Sequence, residues 1–553
     1  MIRFVLLGIV ILISRFATGQ NLNQVGEGSA VDLSGSLSFR TGYYNTSLSY
    51  NRQEPNAYSL SGSAVLSLYD WRIPFTISYA NEQFNSNNPF QHFGISPQYK
   101  WIKMHLGYSS MSFSPYTLNN HTFLGGGIEL TPGKFRFSAM YGRLREKQTI
   151  IKDKYLSFKP PAYKRMGYGF KLGYGTSANY IDLILFKADD DPSSLPVTDS
   201  LSVLPSENLV IGVSSRVQIF KNLSWEVHVA GSAFSRNVHT KKITAGEIEL
   251  PSMLTSLFQP RLSSRVNYAG HTSLNLQFRH FGLRGRYKRV QPGYKSLGMY
   301  YINNDVEQYT IAPSFRLFKG LLSLSASLGL ERDNLLNNKA ARTNRFISSA
   351  NLNWSTKGPF GLSMQYSNYQ LDQSPALLEL NDTTKVAMVN SNLSLIPRLV
   401  FQSDRSTNQF TLFLSSQALN DNNDFTAAQT ETSTYTGNFN YVFRNNKKHY
   451  NLKAGINLTQ VSTPINEILR YGFRIGGGKA FFEETLRTNL RLDYRRQQLD
   501  KTDAGYVLGF YFDSSYRLES GHALTFMLKL TKNETANMSF SENMASLRYS
   551  YNF

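Results

Sequence analysis

The sequence predicts an all-β protein: one large closed antiparallel β-barrel that crosses a membrane with about 26 strands, within a range of about 22 to 28. Three observations predict it. Apolar and polar residues alternate with period two along nearly the whole chain. Tight turns rich in Gly, Asn and Pro alternate with longer polar connections. The 553 residues average a mean hydropathy of -0.32, and no run approaches the roughly 20 apolar residues that a spanning helix needs.

In chain order, the first element is a leader. Arg3 precedes the apolar run Phe4–Ile13, and Ala17-Thr18-Gly19 is a small-residue cleavage signal. Residues 1–19 are therefore expected to be removed as a signal peptide, followed by a short segment, 20–29, and a single barrel domain, 30–553. Loss of Arg3 and Arg15 leaves 56 basic against 38 acidic residues, a net charge of +18.

The strands follow. Leu60, Gly62, Ala64, Leu66 and Leu68 share one face, with Ser59, Ser61, Ser63 and Ser67 on the other. The pattern recurs at Trp71/Ile73/Phe75/Ile77/Tyr79, at Phe135/Phe137/Ala139/Tyr141 and at Leu322/Leu324/Ala326/Leu328/Leu330. It continues at Tyr435/Gly437/Phe439/Tyr441/Phe443, Leu452/Ala454/Ile456/Leu458 and Leu524/Phe526/Leu528/Leu530. Short turns are expected near residues 69–71, 131–133, 175–177, 220–222, 318–320, 357–359, 445–448 and 519–521. Longer loops are expected near 84–92, 113–122, 145–165, 189–207, 236–264, 291–306, 372–385 and 419–432.

The polar face carries Ser, Thr, Asn, Gln and Arg in almost every strand, whereas the apolar face mixes small and large residues. That suits a greasy exterior around a wet lumen better than an interlocked core. Strands of about 10 residues tilted about 45° rise roughly 23 Å, close to the apolar band of a membrane barrel. Lipid offers backbone groups no partner, so the sheet must close. Charged residues make up 17% of the chain, below the roughly 25% usual in soluble domains.

The chain ends in Leu547, Tyr549, Tyr551 and Phe553 on one face, with Ser546, Arg548, Ser550 and Asn552 on the other. This terminal pattern resembles that of Gram-negative outer-membrane β-barrel proteins, which end in an aromatic residue. The resemblance implies a cell outer-membrane location, short periplasmic turns, longer extracellular loops and insertion by the barrel-assembly machinery, with Leu547, Tyr549, Tyr551 and Phe553 as the assembly signal. Outer-membrane lipid and lipopolysaccharide are the implied surroundings. No narrower subfamily is indicated.

The alternation also assigns the lumen. Leu469, Tyr471, Phe473 and Ile475 facing out put Arg470 and Arg474 inside; Leu486, Leu490, Leu492 and Tyr494 do the same for Arg487, Arg491 and Arg495. Phe281, Leu283 and Tyr287 facing out put Arg284, Arg286 and Lys288 inside. These eight residues are expected to form a basic lumen wall that favours anions, or to pair with Asp493 and loop acids. Nucleic acid is not an expected partner, because the basic residues are spread along strands of an envelope protein.

About 26 strands enclose a wide hole, so loops 145–165, 189–207 and 236–264, or a partner protein, are expected to fill it. The loop 236–264 holds Leu250, Pro251, Met253, Leu254, Leu257 and Phe258, and is the place where a short helix is expected. Sites for chemistry are thin. The sequence has no Cys, which excludes disulfides and thiolate chemistry. Asp189-Asp190-Asp191 lacks calcium-loop spacing and is expected to be a solvated loop tip. The nine His show no metal-site spacing. Gly125–Gly127 and Gly476–Gly478 are expected to be bulges, bends or smooth lipid-facing positions. The expected function is a channel or transporter with a basic, loop-occluded lumen, no catalytic residue, no metal and no cofactor. The alternative is a non-conducting scaffold that binds an envelope protein in an assembly or secretion complex. A barrel hydrolase is a third reading.

Overall fold

A computed structural model describes residues 31–81, 92–149, 151–152, 158–159, 161–196, 203–243, 257–375, 385–535 and 538–553. The leader and the segment that follows it lie outside these residues.

Period-two sequences pair with their chain neighbours because each short turn returns the strand antiparallel to itself. The result is a continuous meander of 26 strands from Val31–Thr46 to Met538–Asn552, most of them 10 to 16 residues long. One strand is split at Ser96-Pro97 into His92–Ile95 and Gln98–Tyr99, both paired with Trp71–Ala80 on one side and Ile102–Ser112 on the other. The meander closes: Ser36–Thr46 pairs with Glu542–Asn552, and Gly35 exchanges backbone hydrogen bonds with Phe553 at 2.7 and 3.0 Å. Closure leaves no open edge.

Directly paired residues share a face, so the register traces both faces around the sheet. The outer face carries Leu452, Ile456, Phe473, Ile475, Leu490, Leu492 and the terminal Leu547 and Tyr549, all exposed; Ile456 is 64% exposed. Apolar side chains in that position require an apolar medium, and the closed antiparallel sheet is a transmembrane barrel of the outer-membrane type. Among the described residues no helix is long and apolar enough to cross a membrane.

The connections on one rim are two to four residues long, from Tyr69-Asp70 to 518–521. Those on the other rim are mostly longer, as expected. The exceptions fall near the C-terminus, where 463–466 and 500–501 are as tight as the opposite turns.

The barrel is filled on one side. Phe113, Tyr116 and Leu118, from the loop after Ile102–Ser112, meet Tyr294, Leu297 and Met299, from the loop after Phe281–Val290. Both pack on the inner face of intervening strands, against Phe123, Met140, Ile184, Phe186, Val210 and Ala230, and Phe186 and Leu118 are 0% exposed. The plug thus comes from 113–118 and 291–299. Of the loops expected to fill the lumen, 236–264 holds Phe258, 5% exposed, apart from the plug core: its neighbour's carbonyl, on Leu257, accepts at 2.6 Å from Lys187 Nζ, which lies on the outward face with Leu183. Its residues 244–256, including Leu250, Pro251, Met253 and Leu254, lie outside the described residues, and with them the expected helix.

Candidate functional site

The inner face divides into three regions. The first lies under the plug. Tyr294 OH donates to the Tyr116 carbonyl at 2.6 Å, Ser296 Oγ to the Thr117 carbonyl at 2.6 Å and Asn119 N to the Gly298 carbonyl at 3.0 Å. Asn208, 0% exposed, accepts from Leu297 N at 2.9 Å and donates to Ser232 Oγ at 2.8 Å. Buried backbone groups of both loops are thereby satisfied, as an inserted loop requires. Below the plug, Tyr116 OH shares a 2.9 Å hydrogen bond with His271 Nδ1, and His271 stacks on His228 at 4.8 Å.

Two expectations are corrected here. The nine histidines show no pairing in the sequence, yet two of them pair in the structure: ligand atoms of Glu226, His228 and His271 lie within 4.8 Å of one another. Register brings them together, since His228 pairs with His271 while Glu226 sits two residues along the same face. His228 Nε2 is 2.8 Å from Glu226 Oε1 and its Nδ1 is 2.8 Å from Ser214 Oγ, so both ring nitrogens are engaged; Arg216 holds the other Glu226 oxygen at 3.3 Å. The set is chemically able to take a divalent cation only by giving up these bonds. Ser214 is 2% exposed. The arrangement anchors the plug through Tyr116.

The second correction concerns Asp190, which is no solvated tip. Its carboxylate is 1% exposed and accepts from Arg165 Nε at 2.8 Å, Arg145 Nη2 at 3.0 Å, Ser206 N at 3.0 Å and Ser206 Oγ at 2.8 Å. Of the neighbours, Asp189 is still in the strand Tyr180–Asp190, and Asp191 is the first loop residue. Asp189 pairs with Lys187 at 3.6 Å, and hydrogen bonds from the Ser193 hydroxyl and backbone N–H hold the Asp191 carboxyl below its usual range.

The second region is an arc around the closing seam. Arg470, Arg474, Arg487, Arg491 and Arg495 lie on the inner face of two adjacent strands, Glu467–Phe481 and Leu486–Leu499. Closure adds Arg40, directly opposite Arg548, then Lys529 opposite Tyr511, and Lys453 opposite Gly476. Alternation alone puts Arg548, Lys529 and Lys453 on the polar face; what the sequence does not show is that the closed register sets these four beside the five arginines. Asp493 binds Arg474 at 2.9 Å and Arg491 at 3.3 Å, and Arg491 lies 3.9 Å over the Tyr511 ring. Arg470 Nε donates to Gln497 Oε1 at 2.9 Å, and Arg487 pairs with Glu484 of the adjacent turn. Arg284, Arg286 and Lys288 lie elsewhere, on Phe281–Val290 near the plug, with Arg284 beside Asn275 and Lys288 opposite His271.

The glycine runs are divided between the faces. Gly125, Gly127, Gly476 and Gly478 point inward with no register shift, so they are not bulges, whereas Gly126 and Gly477 lie on the outward face, opposite Tyr141 and Leu490. A Cβ on Gly127 would meet Met111 Sδ at 2.5 Å, and one on Gly476 would meet the Leu490 carbonyl at 2.7 Å and Arg491 Cα at 3.4 Å. Their small size makes room for the plug core and for the flanking arginine strand.

The third region joins the other two and carries uncharged polar residues. From Leu322–Arg332 to Tyr450–Ser462 the middle of the inner face is Ser, Asn, Gln and Thr. One row runs Ser325, Asn351, Gln365, Ser394, Ser415, Thr436 and Thr459 across seven strands before it reaches Arg470. Asn351, Gln365, Asn392 and Gln417 are exposed, so this side of the lumen is open.

The sequence matches no protein-family profile and no curated protein. Among solved structures it is similar to the translocation pore of the P pilus usher PapC, at 8% identity over 94% of this chain and 99% of that one, with a TM-score of 0.38. It is also similar to OccK10 (OpdN) of Pseudomonas aeruginosa, at 12% identity over 66% and 98%, TM-score 0.34, and to OccAB2 of Acinetobacter baumannii, at 10% over 63% and 92%, TM-score 0.29.

Proposed function

We propose that this protein is an outer-membrane channel or transporter whose passage runs along the open side of a half-plugged barrel and favours anionic solutes. The carrying observation is the contrast across the lumen: buried inner residues under the plug, exposed polar ones opposite, and a basic arc bordering the exposed side. Rings and clusters of arginine favour anions in a pore because the guanidinium stays charged and binds oxyanions with directed hydrogen bonds. The passage needs no catalytic residue and no cofactor. The apolar exterior and the expected leader support an outer-membrane location, with lipid and lipopolysaccharide as its surroundings and the barrel-assembly machinery as its route of insertion.

Planar-bilayer recording tests the proposal. Purified protein is expected to conduct with an anion-selective reversal potential. The triple substitution Arg487→Gln, Arg491→Gln and Arg495→Gln is expected to move that potential towards zero, and an unchanged value sinks the role given to the arc. A closed barrel that never conducts and co-purifies with an envelope protein would favour the scaffold reading. Loosening the plug gives a second test. Tyr116→Ala with Tyr294→Ala removes two buried rings and the Tyr294 OH bond. Conductance is expected to rise roughly twofold, since the plug blocks about half of a wide barrel; identical conductance would mean the plug does not limit flow.

A further inference from the structure

We infer that the solute class is an acidic, hydroxyl-rich oligosaccharide, held between the uncharged wall and the basic arc. The inference rests on the proposed anion-favouring passage and adds to it what the neutral wall recognises.

The wall has an order that wetting alone does not demand. A second row runs Ser327, Ser349, Ser367, Asn392, Gln417 and Thr434, again without a charge. A third contributes Ser323, Asn353 and Ser363 on one side and Asn438 and Asn457 on the other. Charged residues of these strands' inner faces stand towards the strand ends: Glu331, Arg345, Arg398, Asp421, Arg444 and Lys453. Between them the surface offers side-chain amides and hydroxyls, and each of these can both donate and accept a hydrogen bond. Strands about 4.8 Å apart repeat such a group at every step around the wall. Sugar hydroxyls also donate and accept, so a polyol can satisfy such groups in many registers without a fixed pose.

The same rows run on into the arc. Thr459 is directly opposite Arg470, Asn440 leads through Gly455 to Arg474, and Asn457 leads through Gly472 to Arg495. A solute that touches both regions must present hydroxyls to one and carboxylate, sulfate or phosphate to the other. A polypeptide fits less well. Its apolar side chains would find few partners in the middle of the wall, since the first two rows hold none over the strands named and the third meets only Ile396 and Phe413; a further row, nearer the strand ends, holds Ile347, Tyr369 and Leu419. The open lumen also offers the face of Tyr369, 41% exposed, for stacking on a sugar ring.

The test is equilibrium binding to the full-length barrel in detergent, by calorimetry, with three probes of equal length: an oligogalacturonate, a neutral malto-oligosaccharide and an oligoglutamate. The oligogalacturonate is expected to bind about tenfold or more tighter than either of the others, each of which lacks one half of the recognition. Asn351→Ala with Gln365→Ala and Asn392→Ala is expected to bring oligogalacturonate down to the oligoglutamate level while oligoglutamate binding stays unchanged. The ranking on unsubstituted protein decides the matter even where that variant fails to fold. If oligogalacturonate binds no tighter than oligoglutamate, the hydroxyl half is wrong and the anion-favouring passage stands. If it binds no tighter than the neutral sugar, both fall.

Discussion

Replacing Asp190 by alanine is expected to cost the folded barrel about 3 kcal/mol, the largest loss from any single inner-face side chain. The carboxylate is 1% exposed and holds two guanidiniums, Arg145 and Arg165, which lie directly opposite each other in the register. Breaking a buried ion pair by removing one partner typically costs about 3–5 kcal/mol, because the other charge is left uncompensated. Arg165, 13% exposed, cannot turn readily to water, whereas Arg145, 39% exposed, can, which places the loss at the low end of that range. Ser206 N and Oγ lose their acceptor as well, and that releases the loop that enters Glu207–Phe220. Urea unfolding in lipid vesicles measures this directly. Asp190→Asn keeps the shape and part of the hydrogen bonding and should lose less. A loss below about 1 kcal/mol for the alanine variant, the size of a surface pair, would show that the two arginines find water.

Asp190 also marks where the sequence stopped being legible. Three consecutive acids read as a solvated tip because their partners, Arg145 and Arg165, lie on two other stretches of chain and meet Asp190 only through strand register. The strands themselves were legible: period-two alternation is written locally, and tight turns force neighbours to pair. The strand count and the outward apolar face therefore followed from residues such as Leu452, Ile456 and Leu458. The plug did not, because Phe113-Ser114-Pro115-Tyr116-Thr117-Leu118 is too short to carry a period and its partner, residues 294–299, lies far along the chain. Its apolar content was the available signal, as it was for Phe258. The arginines of two neighbouring strands could be placed by alternation alone. Arg40 and Arg548 join them only because the sheet closes. Glycine-rich runs were half legible for a related reason: Gly126 and Gly477 face lipid while Gly127 and Gly476 make room for inner-face packing, and only the partner distinguishes the two.

Deleting Leu547–Phe553 is expected to abolish the folded barrel, whereas Phe553→Ala is expected to leave it intact in vitro and lower its assembly in cells. Separating the two outcomes divides the last strand's structural role from its proposed role as a signal. The deletion removes the partners of Ser36 through Thr41 and leaves only Gly42–Thr46 paired at the seam. The freed backbone groups would face lipid, where each unsatisfied group costs several kcal/mol. Neither the remaining seam pairs nor the plug, which lies on other strands, can offset that. The point substitution is different in kind. Phe553 holds Gly35 through its backbone, donating at 3.0 Å and accepting at 2.7 Å, and alanine keeps both bonds. What alanine loses is the ring, which packs 5.3 Å from Tyr551 on the outer face. Refolding into detergent, followed by the heat-dependent shift on a gel, reports the structural part. The folded fraction in isolated outer membranes reports the assembly part. Equal losses in both would mean that the terminal ring stabilises the seam itself and carries no separate signal.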